Sequence, residues 1–342
     1  MHSALHSFDS EATRLFFTEA GVPLKIERGR RVFPVSDRSK DVVDSLLALL
    51  AKARVDLRVG ERVLDVVADS GRIAGVRTEK EFYACDKVIL AAGGKSYPGT
   101  GSSGDGYVMA EKLGHTISPL FPALVPLVIE EEQFFKLSGL TLKNVRITLL
   151  ADGKKVDDAF GEMLFTHFGV SGPIILTLSR KAVLCLREQK TTELSLDLKP
   201  ALSAEQLNQR VERDFLKYRR KRVKGGLIDL LPKSLIEPVT DIAYLDCEKT
   251  VSSVTAKERD RLVKTLKGLV FTVSRARPLA EAIVTAGGVV TKEINPKTME
   301  SKLISGLYFA GEVVDVDGVT GGYNLQAAFS MGVAAGTWSA RA

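Results

Sequence analysis

The chain has 342 residues, 45% of them hydrophobic, and its 48 basic against 42 acidic side chains leave a net charge of +6. A chain of this size buries about three quarters of its surface and has room for two or three folding units. No run approaches the roughly 18 apolar residues of a membrane span, and residues 1–10 lack the basic start and apolar core of a signal peptide, so a soluble cytoplasmic protein with no membrane partner is expected.

In chain order, Glu11–Ala20 has helical spacing and stops at Gly21. Asp37 is placed to cap a second helix through Ala53, with Val42, Val43, Leu46, Leu47 and Leu50 on its apolar face. Val55–Val59, Val63–Val67 and Ile73–Thr78 are rich in β-formers, and Asp69, Ser70 and Gly71 make a hairpin turn between the last two. Val88–Ala92 reads as a buried parallel strand that ends at Gly93 and Gly94. From Leu120 to about Leu198 short strands prevail, namely ALVPLVI, VRITLL and, after a helix at Pro173–Leu178, TELSLDL. Ser203 with Gln206 and Thr255 with Glu258 form two capping boxes around a charged helical region, Ala204–Lys267. Strand texture returns at Leu269–Ser274, and α/β texture by Ala282.

Cys85, Cys185 and Cys247 are widely spaced and accompanied by four histidines, which points to neither a disulfide framework nor a zinc site. The basic excess concentrates in Lys217–Lys224, KYRRKRVK, with no nucleic-acid motif beside it. A solvated helix end is expected there, with no specific nucleic acid partner. Any polyanion binding is expected to be weak and dependent on salt.

Gly99, Gly101 and Gly104 satisfy G-x-G-x-x-G, yet seven residues separate the strand end from the first glycine, and no acidic strand end follows about 20 residues on. The loop GTGSSGDG therefore reads as lying beside a ligand or tightening the approach to the helix at Gly106–Gly114. In GEMLFTHFGVSGP, Gly161–Pro173, hydroxyl and imidazole groups stand among glycines before a helix. His167 is a candidate proton carrier, and Thr166 and Ser171 are candidates to orient a carbonyl; satisfaction of a backbone group in a tight turn is the alternative for His167. For His115, at a helix end after Gly114, that structural role is favoured. No G-x-S-x-G elbow is present, which argues against hydrolysis.

The stretch Gly306–Gly336 reads strand, acidic loop, paired glycines, helix. Leu307–Ala310 is a short strand, and the Gly311–Glu312 step sets a carboxylate at its carboxyl end, where open α/β sheets bind ligands. Gly321 and Gly322 let the backbone turn sharply before a helix from Tyr323. The free amides of such a helix stabilise negative charge by about 0.3–1 kcal/mol when exposed and up to about 2 kcal/mol when partly buried. A reduced flavin carries such charge at its pyrimidine edge, and Glu312, Asp315, Asp317 and Asn324 crowd the same loop.

Six segments together resemble the bacterial flavoproteins named aminoacetone-oxidase-like, or NAD(P)/FAD-dependent, oxidoreductases. They are ERGRRVFPVSD at Glu27–Asp37, VILAAGGKSYPGTGSSGDGY at Val88–Tyr107, PALVPL at Pro122–Leu127, GEMLFTHFGVSGP, VTAGGVVTKEINPKTMESK at Val284–Lys302, and the C-terminal stretch, in the family's order. The resemblance implies an α/β chain in which an FAD domain of the two-dinucleotide-binding type occupies 1–118 and 282–342. A β-rich, barrel-like domain is implied at 119–200 and 268–281, and a helical subdomain at 201–267. It implies that Val63 meets the adenine side, that Ala91, Ala92, Gly93 and Gly94 pass the adenosine and pyrophosphate, and that Gly311 with Glu312 or Asp315 meets the ribityl chain. Gly322, Asn324 and Leu325 would hold the pyrimidine edge, while Thr166, His167 and Ser171, with Thr285 and Gly287, would lie toward the reacting face. The implied activity is hydride transfer between a small organic substrate and the flavin, with oxygen or NAD(P)H as partner. Amine oxidation and reduction of a conjugated steroid-type enone both remain open.

Members of that family open with a βαβ unit carrying G-x-G-x-x-G, and this sequence begins after it. The resemblance therefore implies a truncated member. Loss of three charge-assisted bonds to the pyrophosphate, at about 1.5–3 kcal/mol each, would weaken FAD binding by about three to six decades. Strands such as Leu307–Ala310 are expected to keep unpaired edges and exposed apolar faces, favouring self-association. The alternative is a non-catalytic remnant or binding module with an incomplete flavin site.

Overall fold

The computed structural model describes residues 2–27 and 29–341; Met1, Ala342 and Arg28, which falls in the segment Glu27–Asp37, lie outside the described residues. The chain divides into two compact units, Met1–Phe121 with Ile283–Ala342, and Pro122–Ala282. No helix among the described residues is long and apolar enough to cross a membrane.

The first unit opens with α1 (His2–Ser7), α2 (Ser10–Glu19), a hairpin of β1 (Leu24–Glu27) and β2 (Arg31–Pro34), and α3 (Ser39–Lys52). Asp9 caps α2 by accepting from the Glu11 and Ala12 amides. Asp37 does not cap α3, because it adopts a left-handed conformation and its carboxylate binds Lys25 instead. The apolar face of α3 is only partly covered: Val43 and Leu47 are exposed, and Ser45 is the helix's buried residue. Residues 55–59 form no strand and are exposed throughout, since nothing packs against their β-branched side chains. A three-stranded antiparallel sheet follows, β3 (Val63–Asp69), β4 (Arg72–Thr78) and β5 (Phe82–Ala84), whose first hairpin turns at Ser70 and Gly71, both at positive φ. The unit continues with β6 (Val88–Leu90) and α4 (Asp105–Lys112).

After β7 (Phe121–Ala123), the second unit forms a closed six-stranded barrel. Its strands are β8 (Leu127–Ile129), β9 (Thr141–Ala151), β10 (Lys154–Thr166), β11 (Gly169–Ser171), β12 (Thr192–Asp197) and β13 (Leu269–Ala276). They pair antiparallel in the order β10-β11-β8-β13-β12-β9, and closure removes the free edges that short strands would expose. Phe134, Phe165 and Phe271 fill the interior, with Phe134 and Phe165 stacked at 5.8 Å and Phe271 edge-on to Phe134 at 5.0 Å. Five helices belong to this unit: α5 (Pro173–Arg187), α6 (Ala204–Lys217), α7 (Val223–Gly226), α8 (Lys233–Ile242) and α9 (Ala256–Lys267). Both capping boxes form, at Ser203 with Gln206 and at Thr255 with Glu258. The helix at Pro173 runs to Arg187, beyond its predicted end.

The chain then re-enters the first unit through β14 (Val284–Ala286) and β15 (Leu307–Phe309) and ends in α10 (Tyr323–Ser339). β15 is buried on both faces and hydrogen-bonded on both edges, by β6 on one side and by residues 299–301 on the other. The expectation of an exposed, unpaired β15 is thus corrected: the backbone of 299–301 satisfies the outer edge. β6 pairs with β15 alone among the named strands, and Ile89 at its centre is 40% exposed, so one of its faces is not covered as its continuous apolar sequence predicts. Ser330 is fully buried and donates to the Phe8 carbonyl at 2.6 Å, which ties the N-terminal helices to α10.

Replacing Phe165 with Ala removes the stacked centre of the barrel and is expected to cost about 3–5 kcal/mol. A urea titration followed by far-UV circular dichroism reads this as a lower midpoint.

Candidate functional site

β6 and β15 run parallel in the register Val88 to Leu307 and Leu90 to Phe309, so the loops that leave their carboxyl ends start side by side. After β6 the backbone passes through exposed Ala91 and Ala92 to Gly93 at φ +72° and buried Gly94. After β15, Gly311 at φ +79° begins a single 3-10 turn, Gly311–Val313, that packs against α10. That turn aims Glu312 at the other loop.

The Glu312 carboxylate is half committed. Its Oε1 accepts from the Thr285 amide at 2.6 Å and from the Ser96 hydroxyl at 3.2 Å. Thr285 Oγ1 in turn accepts from the Lys95 and Ser96 amides at 2.8 and 3.0 Å. A methyl group at Gly94 would overlap Glu312 Oε1 and reach Thr285 Oγ1 at 2.6 Å, so the close approach of these segments requires glycine there. Glu312 Oε2 makes no hydrogen bond to a described residue. The Tyr107 hydroxyl donates to the Glu312 carbonyl at 3.2 Å; burial, then the Glu312 charge, push that hydroxyl well above the usual tyrosine range and keep it a donor.

At the start of α10, Gly322 stands at φ +92° with no side-chain cap. The Gln326 amide bonds the Gly322 carbonyl, while the amides of Tyr323, Asn324 and Leu325 have no acceptor among the described residues. Asn324 turns its side chain inward, accepting from the Gly318 amide at 2.8 Å and donating to the Gly318 carbonyl at 3.0 Å. It closes the loop 318–324, and its backbone N–H has no acceptor among the described residues. Asp315 is half-buried, its amide bonded to the Val289 carbonyl. Val63 starts β3 and packs against the same core as Leu90, Phe309 and Val313. The glycine loop folds back on this region: Ser102 Oγ lies 3.0 Å from where a Gly93 Cβ would be.

The other expected residues belong to the barrel unit. Thr166 ends β10 and pairs with Gly169, leaving His167 and Phe168 as a two-residue turn, and Ser171 ends β11 opposite Leu164. His167 is exposed, and its ring meets Phe168 edge-on at 4.9 Å. Thr166 Oγ1 is the one buried side-chain polar atom without a hydrogen-bond partner among the described residues. Such an orphan is costly unless a ligand satisfies it.

His115 has a structural role. Its side chain is wholly buried, with Nδ1 3.1 Å from Glu293 and Nε2 2.8 Å from Ser301 Oγ, which also accepts the Leu303 and Ile304 amides. Because Ser301 already accepts twice, its hydroxyl proton points to Nε2, and the imidazole is neutral with its proton on Nδ1. Burial, against the opposing pull of Glu293, holds His115 below the ordinary histidine range. Ser96 and Tyr107 are the site residues that sequence reasoning missed; the run of small residues from Ala91 to Gly94 beside Ser96 is the signal that marked the place.

Thr285→Val orphans the Lys95 and Ser96 amides and is expected to cost about 1–3 kcal/mol, with Thr285→Ser restoring it; thermal melts of the three proteins check this. For His115, the native value lies below the unfolded one, so its contribution is fully present above pH 6.5 and lost as pH falls below it. Stability should fall by up to about 1.4 kcal/mol per pH unit in that window, and His115→Gln should flatten the difference between urea midpoints at pH 7 and pH 5.

Residues 1–338 match the family model described as HI0933-like protein Rossmann domain. The chain is 31% identical over 334 residues to a 3-dehydro-bile acid delta(4,6)-reductase of Clostridium scindens, covering 98% of the chain and 81% of that protein. It is 36% identical over 250 residues to a ribosomal RNA dihydrouridine synthase of Haemophilus influenzae, covering 72% of the chain and 59% of that protein. The Escherichia coli ribosomal RNA dihydrouridine synthase is 31% identical over 300 residues, 86% of the chain and 70% of that protein. Among solved structures, a flavocytochrome c3 fumarate reductase is similar at TM-score 0.46 and 17% identity, over 96% of this chain and 62% of that one. The chain belongs to the HI0933-like protein Rossmann domain family.

Proposed function

We propose that this protein holds FAD in the crevice at the carboxyl ends of β6 and β15 and reduces a carbon–carbon double bond conjugated to a carbonyl. The observation that carries the cofactor reading is the half-committed carboxylate of Glu312, on the turn that packs against the uncapped helix α10. Glu312 Oε2 is an acceptor for a ribityl hydroxyl, and the amides of Tyr323, Asn324 and Leu325 are donors for the pyrimidine edge and its negative charge. These residues fit the cofactor. Gly93 and Gly311, both at positive φ, turn the two loops at the crevice, and Gly94 leaves room for the Glu312 carboxylate beside it.

The substrate class follows from what two relatives act on by name. A 3-dehydro bile acid with Δ4,6 unsaturation is a conjugated ketone, and the reaction that yields dihydrouridine saturates a C=C bond conjugated to a ring carbonyl. When bound, the flavin supplies a hydride to the carbon β to the carbonyl and gives up two electrons, with NAD(P)H as the proposed source of their replacement. In the barrel unit, Thr166 Oγ1, the orphaned buried hydroxyl, has the chemistry of a donor to a substrate carbonyl, Ser171 offers a second hydroxyl for that role, and His167 has the chemistry of the proton carrier that completes a saturated product.

Protein loaded with FAD and reduced anaerobically with dithionite should turn yellow again on mixing with a steroid dienone or a uridine-containing oligonucleotide. Mass spectrometry should show the product two hydrogens heavier. His167→Gln should slow that step by about 10²–10⁴-fold. An oxidised protein bleached by amines and indifferent, once reduced, to both conjugated carbonyls would overturn the reading in favour of amine oxidation.

A further inference from the structure

The segment Arg210–Lys224 holds eight of the chain's 48 basic residues and two of its 42 acidic ones, a surplus of six that equals the net charge of the whole chain. Every other stretch taken together is electrically balanced. In the structure the segment is the second half of α6 and the turn that leads into α7. Part of its charge is neutralised locally: Arg210 binds Asp214 at 2.9 Å, Lys217 binds Asp229 at 2.8 Å, and Arg222 and Lys224 share Glu248. Arg213, Arg219, Arg220 and Lys221 are exposed and have no carboxylate partner among the described residues.

Beside these cations lies a groove of about 550 Å³ along one face of α6. Leu202, Gln206, Gln209, Arg213 and Leu216 recur at intervals of three and four residues and line it with Arg210. The groove's one carboxylate, Glu212, is paired with Arg259 at 2.6 Å and adds no free negative charge. Tyr218 follows, with the Lys217 and Lys221 ammonium groups 4.6 and 4.5 Å from its ring centre. Unpaired guanidinium groups suit phosphate oxygens, and side-chain amides and an aromatic ring suit base edges and faces. Those base groups are accessible only where the bases are unstacked.

We propose that the second half of α6 and the turn after it form a docking surface for single-stranded or looped RNA, gripped through its phosphates by Arg213, Arg219, Arg220 and Lys221, with a nucleotide seated against Gln206 and Gln209. Phosphate contacts specify no base sequence, so recognition is of the backbone first. The inference rests on the conjugated-carbonyl reductase reading and narrows its substrate to a uracil in RNA, but binding is measured without turnover. A nucleotide-sized concave groove with amides favours RNA over an anionic membrane surface, which requires no such pocket.

The test is fluorescence anisotropy of a labelled, uridine-rich single-stranded RNA over a potassium chloride series. The parent should bind with log K falling linearly in log salt. The variant Arg213→Gln, Arg219→Gln, Arg220→Gln, Lys221→Gln should lose at least about tenfold in affinity and flatten the slope by about 3, at roughly 0.7 for each phosphate left without its cation. A control with the same net charge, Lys136→Gln, Lys143→Gln, Lys154→Gln, Lys257→Gln, should leave both nearly unchanged. The proposal is overturned if the parent shows no saturable binding, if both variants weaken it equally, or if the first variant loses binding to phosphatidylserine vesicles while keeping RNA. Reoxidation of the reduced flavoprotein by a small enone should be equal in parent and variant. If the parent shows no such reoxidation while its RNA affinity and the effect of the variant stand, the reductase reading fails and the docking surface remains.

Discussion

The Glu312 carboxylate bonds the Thr285 amide through one oxygen, and this interaction draws three distant segments together at the carboxyl ends of β6 and β15. Gly94 permits the approach, Thr285 Oγ1 holds the two amides that follow it, and Tyr107 fixes the Glu312 backbone from α4. The acid is costly to desolvate, and its bond to an amide offsets that cost while leaving Oε2 for a ligand. A carboxylate committed entirely to the fold would make this a structural tie. One committed entirely to solvent would have no fixed direction.

Local features of the site were legible in the chain. The strand 307–309, the Gly311–Glu312 step, the paired glycines and α10 are all consecutive, and turn chemistry and periodicity read consecutive residues well. The Glu312 network is different in kind, since Ser96 and Glu312 are 216 positions apart and no spacing rule joins them. Asn324 shows the same limit at short range: the family resemblance implied a ligand contact there, and the structure turns both its side-chain polar atoms to Gly318.

Strands were missed where charge masked them. No strand was expected at β10, which begins KKVDD, yet Asp157 and Asp158 are paired with Lys181 and Arg146, and the strand has partners on both sides. Residues 55–59 failed in the opposite direction, with the right residue types and no sheet to receive them. Strand formation is decided by neighbours more than by propensity. Barrel closure is the largest such fact, because six strands spread over residues 127–276 become a core only when the last meets the first.

Equilibrium binding of FAD to the apoprotein, followed by quenching of flavin fluorescence in the parent and in Glu312→Gln, tests the crevice most directly. Glutamine can still accept from the Thr285 amide, so the fold is kept while the charge at Oε2 is removed. The account predicts saturable binding by the parent and a loss of about 1.5–3 kcal/mol, or roughly ten- to hundredfold in Kd, in the variant, with unchanged melting. Equal affinity in the two proteins, or no saturable binding by the parent, would contradict it.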